Sequence, residues 1–441
     1  MSKGLIIAAP ASGSGKTTVT LGLLRALRRK GIDVASAKVG PDYIDPAFHA
    51  AASGRACFNL DSWAMRPETL AAALDPAPAL TVVEGVMGLF DGAHLGSDTA
   101  PLADGSTASL ARLTGWPVLL VVDAGKQAQS IAALTDGFAR FDPDVRLAGV
   151  ILNKVGSDRH EAMLRQALTA AGHAVLGVVR SDKLIARPSR HLGLVQAGEH
   201  PDLEAFLDAA ADRMPDGIDL DAIMAAATIS TATGSAPVPP ALPPLGQRVA
   251  VARDAAFAFS YPHVLDGWRH AGAELSFFSP LADEAPAGNA DAVYLPGGYP
   301  ELHARRLAGA ARFLDGLRAA ATGGAKIYGE CGGYMTLGTV LTDADGISHR
   351  MAGLLPHETS FAEPKRHLGY RIASMLADTP LGTAGSLWRG HEFHYAATVG
   401  ATGNTPLFRI TDASGSDLGE IGARIGTVFG SFMHLIDYAN A

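Results

Sequence analysis

The chain has 441 residues, 48% hydrophobic and 18% charged, with 36 basic against 44 acidic side chains and a formal net charge of −8. That length exceeds one ordinary domain and fits two, each with enough apolar residue to bury a core. The acidic balance excludes nucleic acid as the main partner, because phosphate binding needs a basic footprint, but a small anion held in a local basic pocket stays open. Two cysteines, Cys57 and Cys331, and no Cys-x-x-Cys argue against a disulfide framework or a structural zinc site. The apolar start Leu5–Ala9 is too short for a signal peptide, and no apolar run approaches a membrane span. A cytoplasmic protein with no membrane partner is expected.

In chain order, Leu5–Ala9, Val34–Val39, Leu80–Glu84, Val118–Asp123, Leu147–Asn153 and Val175–Val179 read as buried strands. Helical patterns lie between most of them, at Thr17–Arg29, Gln127–Phe141 and Asp158–Ala171. This alternation predicts an α/β fold with a parallel sheet covered on both faces. Residues Thr231–Gly246 carry five prolines and read as a semi-rigid linker. The alternation then restarts with Val249–Ala252, a helix at Tyr261–Ala271, and strands at Glu274–Phe278, Ala292–Leu295, Lys326–Tyr328 and Ile425–Phe429. The expected organisation is a domain over 1–230, a linker over 231–246 and a second α/β domain over 247–441.

The first strand runs into Pro10-Ala-Ser-Gly-Ser-Gly-Lys-Thr-Thr18 and then a helix. This is a phosphate loop with proline at the first glycine position, in the strand–loop–helix setting the motif needs. Gly13, Ser14 and Gly15 turn backbone N–H groups toward a phosphate, and the start of the following helix, with Thr17 and Thr18, adds its positive end. Lys16 is expected to reach the β- and γ-phosphates of ATP, and Thr17 to offer its hydroxyl to Mg²⁺. The metal needs acidic ligands, and strand ends supply Asp42 and Asp45 in Lys38-Val-Gly-Pro-Asp-Tyr-Ile-Asp-Pro46 and Glu84 in Glu84-Gly-Val-Met-Gly-Leu-Phe-Asp91. The plainer reading of Asp42 and Asp45 is a pair that shapes a proline-bounded turn. Asn153, at another strand end, is a candidate for reading the adenine edge or for forming a simple turn.

A second site lies at Gly329-Glu-Cys331-Gly-Gly333, a strand followed by G-x-C-x-G and a helical pattern, which is the form of a nucleophile elbow. The turn is expected to expose the sulfur, and the helix start to favour its thiolate. Gly298, in Leu295-Pro-Gly-Gly-Tyr-Pro-Glu301, and Gly332 are candidate oxyanion-hole donors. His434, 103 residues after Cys331, is the candidate base. Cys57 reads as core packing.

Together these motifs, with Pro188-Ser-Arg-His-Leu-Gly-Leu194 and Arg389-Gly-His-Glu-Phe-His-Tyr395, resemble the cobyrinic acid a,c-diamide synthases, including those of the aerobic route that act on hydrogenobyrinic acid. The resemblance spans nearly the whole chain. It implies a dethiobiotin-synthetase-like P-loop ligase joined to a class I glutamine amidotransferase, with ATP and Mg²⁺ as cofactors and a corrinoid and glutamine as small-molecule partners. It further implies Cys331 and His434 as the glutaminase pair, Thr17, Asp45 and Glu84 at Mg²⁺, Lys16 and Asp91 in the synthetase chemistry, and Asp42, Tyr43 and Ile44 near the corrin. Arg187, Arg190 and His191 are expected to hold substrate carboxylates. A homodimer is compatible with the sequence. The pattern departs from many class I glutaminases in having Ile436, not glutamate, two residues after the histidine, so backbone, Asp437 or nothing specific is left to orient His434. The runners-up are an amidase on another tetrapyrrole and a ParA-like switch ATPase carrying an inert glutaminase fold.

Overall fold

The structure, a computed structural model, describes residues 3–74, 79–96, 103–181, 195–230, 239–400, 403 and 405–439, apart from the side chains of 215 and 216. It divides into two compact units. The first comprises Met1–Trp63, Leu70–Ala93 and Ala100–Ala236, and the second Ala64–Thr69, His94–Thr99 and Pro237–Ala441. Among the described residues no helix is long and apolar enough to cross a membrane.

The first unit is built on seven parallel strands: β1 (Lys3–Ala8), β2 (Val34–Val39), β3 (Phe58–Leu60), β4 (Leu80–Glu84), β5 (Val118–Asp123), β6 (Leu147–Val155) and β7 (Val175–Arg180). Their order is β3-β2-β4-β1-β5-β6-β7, with β8 (Thr228–Ile229) antiparallel on β1. Helices cover such a sheet on both faces, so its strands must be apolar on both faces, as the runs at Leu5–Ile7 and Val118–Val122 are. Each fully buried Leu, Ile or Val there contributes about 1.5–3 kcal/mol relative to exposure. β1 lies between β4 and β5, so the loops after β1, β2 and β4 open at one edge of the sheet. Helices α1 (Lys16–Arg29) and α2 (Asp45–Ser53) start from two of those loops.

The second unit has a parallel core of β9 (Arg248–Ala252), β10 (Glu274–Phe278), β11 (Ala292–Leu295), β12 (Lys326–Glu330) and Val428–Ser431, in the order β10-β9-β11-β12-(Val428–Ser431). The expected strand Ile425–Phe429 is instead two antiparallel pieces, Ala423–Ile425 and Val428–Ser431, because Gly426 turns the chain at φ 57°. A mixed sheet of four strands and an antiparallel sheet of five complete the unit. One of them, with five strands, runs (Asp417–Ile421)-(Phe408–Asp412)-(His367–Met375)-(Leu387–His394)-(Met433–Tyr438).

Half of the proline-rich stretch belongs to the packed structure. Leu242 and Leu245 are buried, and Trp268 Nε1 donates to the Leu242 carbonyl at 3.0 Å. Residues 231–238 lie outside the described residues.

Candidate active sites

In the first unit the turn after β1 bends at Gly13 (φ 80°) and Gly15 (φ 98°), a conformation that costs glycine little and other residues more. A Cβ on Gly15 would also stand 2.1 Å from Asn153 Nδ2. Ser14 Oγ donates to the Ala11 carbonyl at 2.9 Å, Lys16 opens α1, and Thr17 and Thr18 lie in its first turn.

Beside this loop, the register of β2 against β4 sets Lys38 opposite Glu84. Lys38 Nζ donates to Asp45 Oδ2 at 2.8 Å and to Glu84 Oε1 at 2.9 Å, and lies 3.8 Å from Asp42. Thr17 Oγ1 donates to Glu84 Oε1 at 2.5 Å and lies 3.5 Å from Asp45 Oδ2. His49, one turn after Asp45 on α2, meets Glu84 Oε2 at 2.6 Å, and its other nitrogen is 3.6 Å from Cys57 Sγ. Lys38, His49 and Glu84 are all under 5% exposed, so every charge here is sustained by its neighbours. Burial opposes the Lys38 ammonium, but Glu84, Asp45 and Asp42 outweigh it and push its pKa up. Burial likewise opposes the Glu84 carboxylate, and Lys38 holds it below the usual range. Burial and the neighbouring Asp45 raise Asp42 to about 6.

Lys16 Nζ donates to the Met87 carbonyl, where Met87 has a left-handed φ of 44°. Asp91 braces the same loop by accepting from the Gly88 N–H at 2.8 Å. A Cβ on Gly88 would stand 2.7 Å from the Pro10 carbonyl oxygen, so the loop after β4 packs tightly on the phosphate loop. Among the described residues no group of three or more His, Cys, Asp or Glu could hold a metal. Thr17, Asp45 and Glu84 offer one hydroxyl and two carboxylates around a cation, Lys38 Nζ, which is a donor set fit for Mg²⁺ with water completing its shell.

In the second unit β12 ends at Glu330 and the chain turns sharply at Cys331 (φ 45°, ψ −103°) into the short helix Gly332–Leu337. A left-handed backbone at a non-glycine residue is strain that packing must hold in place. Glycines make room for the turn. A Cβ on Gly333 would lie 1.9 Å from the Leu295 carbonyl oxygen, and one on Gly332 would lie 3.0 Å from Gly298 N. The last contact sets the Gly298 N–H beside the elbow. Cys331 is buried, contrary to the exposed sulfur expected, and burial with Glu301 pushes the thiol well up against the hydrogen bond from Gly332 N–H. A six-residue helix at a buried site does not offset that cost.

β12 pairs with Val428–Ser431 so that Glu330 faces Ser431, and the Cys331 N–H donates to the Ser431 carbonyl at 2.8 Å. The chain changes sheets at Phe432, which brings His434 back to the elbow. The His434 ring lies over Gly297, where a Cβ would be 2.3 Å from Cε1, and stacks on His391 at 4.9 Å. Burial first, then His391 and His394, hold its pKa well below the usual value, so the ring is a neutral base at rest.

Residues 5–195 match the CobQ/CobB/MinD/ParA nucleotide binding domain, and residues 248–440 the CobB/CobQ-like glutamine amidotransferase domain. The chain is 57% identical over 443 residues to the hydrogenobyrinate a,c-diamide synthase of Rhizobium meliloti, covering 99% of each chain. It is 56% identical over 444 residues to that of Brucella anthropi, again covering 99% of each. The chain belongs to the hydrogenobyrinate a,c-diamide synthase family. It is a glutamine amidotransferase enzyme with a nucleotide-binding domain.

Within that family frame several expected roles meet a different environment. Asn153 donates to the Ser14 carbonyl at 2.9 Å and accepts from Lys154 N–H at 2.9 Å, so it braces the phosphate loop where an adenine contact was expected. Asp42 Oδ1 accepts from the N–H groups of Ile44 and Asp45, at 2.8 and 3.0 Å, and shapes the turn. Ile44 is 6% exposed and supports that turn from inside, so it offers little surface to a corrin, whereas Tyr43 is half-buried. Asp437, the carboxylate left to orient His434, accepts from Arg66 N at 2.8 Å and Arg66 Nε at 2.9 Å. Arg187, Arg190 and His191 lie outside the described residues.

Lys38, His49 and Glu330 went unassigned in the sequence reading. A lysine inside the apolar strand Val34–Val39 was the available signal for the first, and the Asp45–His49 spacing of one helical turn for the second.

Proposed function

We propose that this chain amidates the a- and c-acetate carboxylates of hydrogenobyrinic acid, using ATP, Mg²⁺ and glutamine. Two intact reaction centres in one chain carry the reading: a hydroxyl–carboxylate cluster beside a phosphate loop, and a strained cysteine whose neighbour Glu330 lies 3.8 Å from a buried histidine. Similarity to the diamide synthases over 99% of the chain supports it, and speaks against both a sibling tetrapyrrole amidase and a switch ATPase.

In the synthetase unit a substrate carboxylate oxygen attacks the γ-phosphorus, ADP leaves, and an acyl phosphate forms. A free carboxylate is a poor electrophile, and phosphorylation gives it a leaving group. The phosphate-loop N–H groups and Lys16 hold the phosphates in line, with Lys16 released from the Met87 carbonyl to reach them. Mg²⁺ held by Thr17, Asp45 and Glu84 would neutralise charge on the transferred group. Lys38 keeps Glu84 ionised and, displaced from between Glu84 and Asp45, carries its charge toward the phosphates. Asp91 keeps the loop after β4 closed on the phosphate loop.

In the glutaminase unit Cys331 Sγ attacks the glutamine side-chain carbonyl while His434 takes the thiol proton. The Gly298 and Gly332 N–H groups face the developing oxyanion. His434 returns the proton to the leaving ammonia, and water then hydrolyses the thioester to glutamate. Ammonia attacks the acyl phosphate and expels phosphate. Local release matters because free ammonia is scarce and mostly protonated near neutrality.

The test is isotopic. With ¹⁸O in the substrate carboxylates, the released phosphate should carry one label per amide formed. Unlabelled phosphate would exclude the acyl phosphate route.

A further inference from the structure

We propose that Glu330 is the carboxylate that positions His434, taking the part that Ile436 cannot play. The inference rests on the glutaminase reading above and adds to it a residue outside the usual position.

Glu330 immediately precedes the nucleophile, and its Oε2 lies 3.8 Å from His434 Nδ1. Chain register produces that approach. Glu330 faces Ser431 across two parallel strands, and His434 follows three residues later, past the sheet change at Phe432. The carboxylate is also tied to the strand that bears the histidine, because Glu330 Oε1 accepts from the Leu435 N–H at 3.1 Å. Tyr328 donates to Oε1 at 2.9 Å and Tyr294 to Oε2 at 2.8 Å. These three donors fix the carboxylate plane and leave acceptor capacity on Oε2, the oxygen toward the imidazole.

Two neighbouring carboxylates are otherwise engaged. Asp437 is held by Arg66, and Glu392 pairs with Arg371 at 2.7 Å. The titratable groups facing Glu330 are Tyr294, Tyr328, the adjacent Cys331 and His434, while His434 is also faced by His391, stacked on it, and by His394. Burial raises the Glu330 carboxyl to about 7, against the lowering by Tyr294, Leu435 N–H and Tyr328.

As the Cys331 sulfur–carbon bond forms, the thiol proton passes to His434 Nε2. Nδ1–H of the new imidazolium points at the Glu330 carboxylate, which stabilises the charge and takes no proton. Separations between catalytic groups in a resting site commonly shorten once substrate is bound.

Glutamine hydrolysis by Glu330→Gln, followed from about pH 5.5 to 9, tests this. The expected result is a fall of about 10²-fold in kcat with little change in KM, and loss of the limb that reports carboxyl ionisation. Glu330→Asp should recover part of the rate. Ammonium-driven amidation by the same preparation reports an intact fold. A Glu330→Gln rate within about threefold of wild type across the pH range overturns the proposal, and so does an equal fall in both activities. If that variant does not fold, Tyr328→Phe serves. It should shift the same limb, and an unmoved profile overturns the proposal. Failure of the wild-type chain to hydrolyse glutamine would instead strike the glutaminase reading.

Discussion

Lys38 and Glu84 are register partners on β2 and β4, and the ammonium lies 2.9 Å from the carboxylate with both side chains almost fully buried. A buried charge pair is costly unless each member has further partners, and here Asp45, His49 and Thr17 supply them. The cluster therefore holds Glu84 ionised beside a phosphate loop. Lys38→Met should destabilise the protein by about 3–5 kcal/mol, because it strands buried carboxylates. Added Mg²⁺ should recover part of that loss by binding them. Denaturant unfolding with and without Mg²⁺ checks this, and wild-type stability in both conditions would contradict it.

Cys331→Ala should abolish glutamine-driven amidation while ammonium-driven amidation continues. The fold tolerates a small residue there, since the strain at φ 45° comes from the turn and not from the sulfur. Comparing the two nitrogen sources measures it. Loss of both would make the thiol structural.

Gly297→Ala probes the same centre from the other side. The added Cβ would come within 2.3 Å of His434 Cε1, so the ring must move. A displacement of that order costs about 10²-fold in glutamine hydrolysis. Unchanged hydrolysis in the variant would contradict the placement of His434 over this glycine.

How much of this was legible depends on how far each feature is a local one. Phosphate loop, elbow and the parallel strands of the first unit follow from apolar runs and glycine spacing, and Leu80–Glu84 and Val118–Asp123 fall where expected. The two smaller sheets of the second unit did not emerge, because strands such as His367–Met375 are mostly half-buried and show no clean alternation. The Glu330–His434 approach was hidden because it depends on register between β12 and Val428–Ser431 and on the sheet change at Phe432. Lys38 was passed over for a similar reason, since only the pairing of β2 with β4 puts it against Glu84.

Glu330 also makes a prediction about stability and pH. Its folded pKa, about 7, exceeds the ordinary 4.5, so the native state holds a proton that the unfolded chain releases. The stabilisation is complete below the unfolded value and is lost as pH rises through the folded one. Between about pH 5 and 8 the wild type should lose about 2–3 kcal/mol more than Glu330→Gln, in which other titrations cancel. Urea unfolding at several pH values measures the difference, and parallel curves would contradict the burial argument.

The most direct test of the whole account is mass spectrometry of hydrogenobyrinic acid incubated with the chain, ATP, Mg²⁺ and glutamine. The account predicts two successive replacements of a carboxylate OH by NH₂, with no further change when reagents are renewed. An unaltered corrin in the presence of continuing ATP hydrolysis would contradict it.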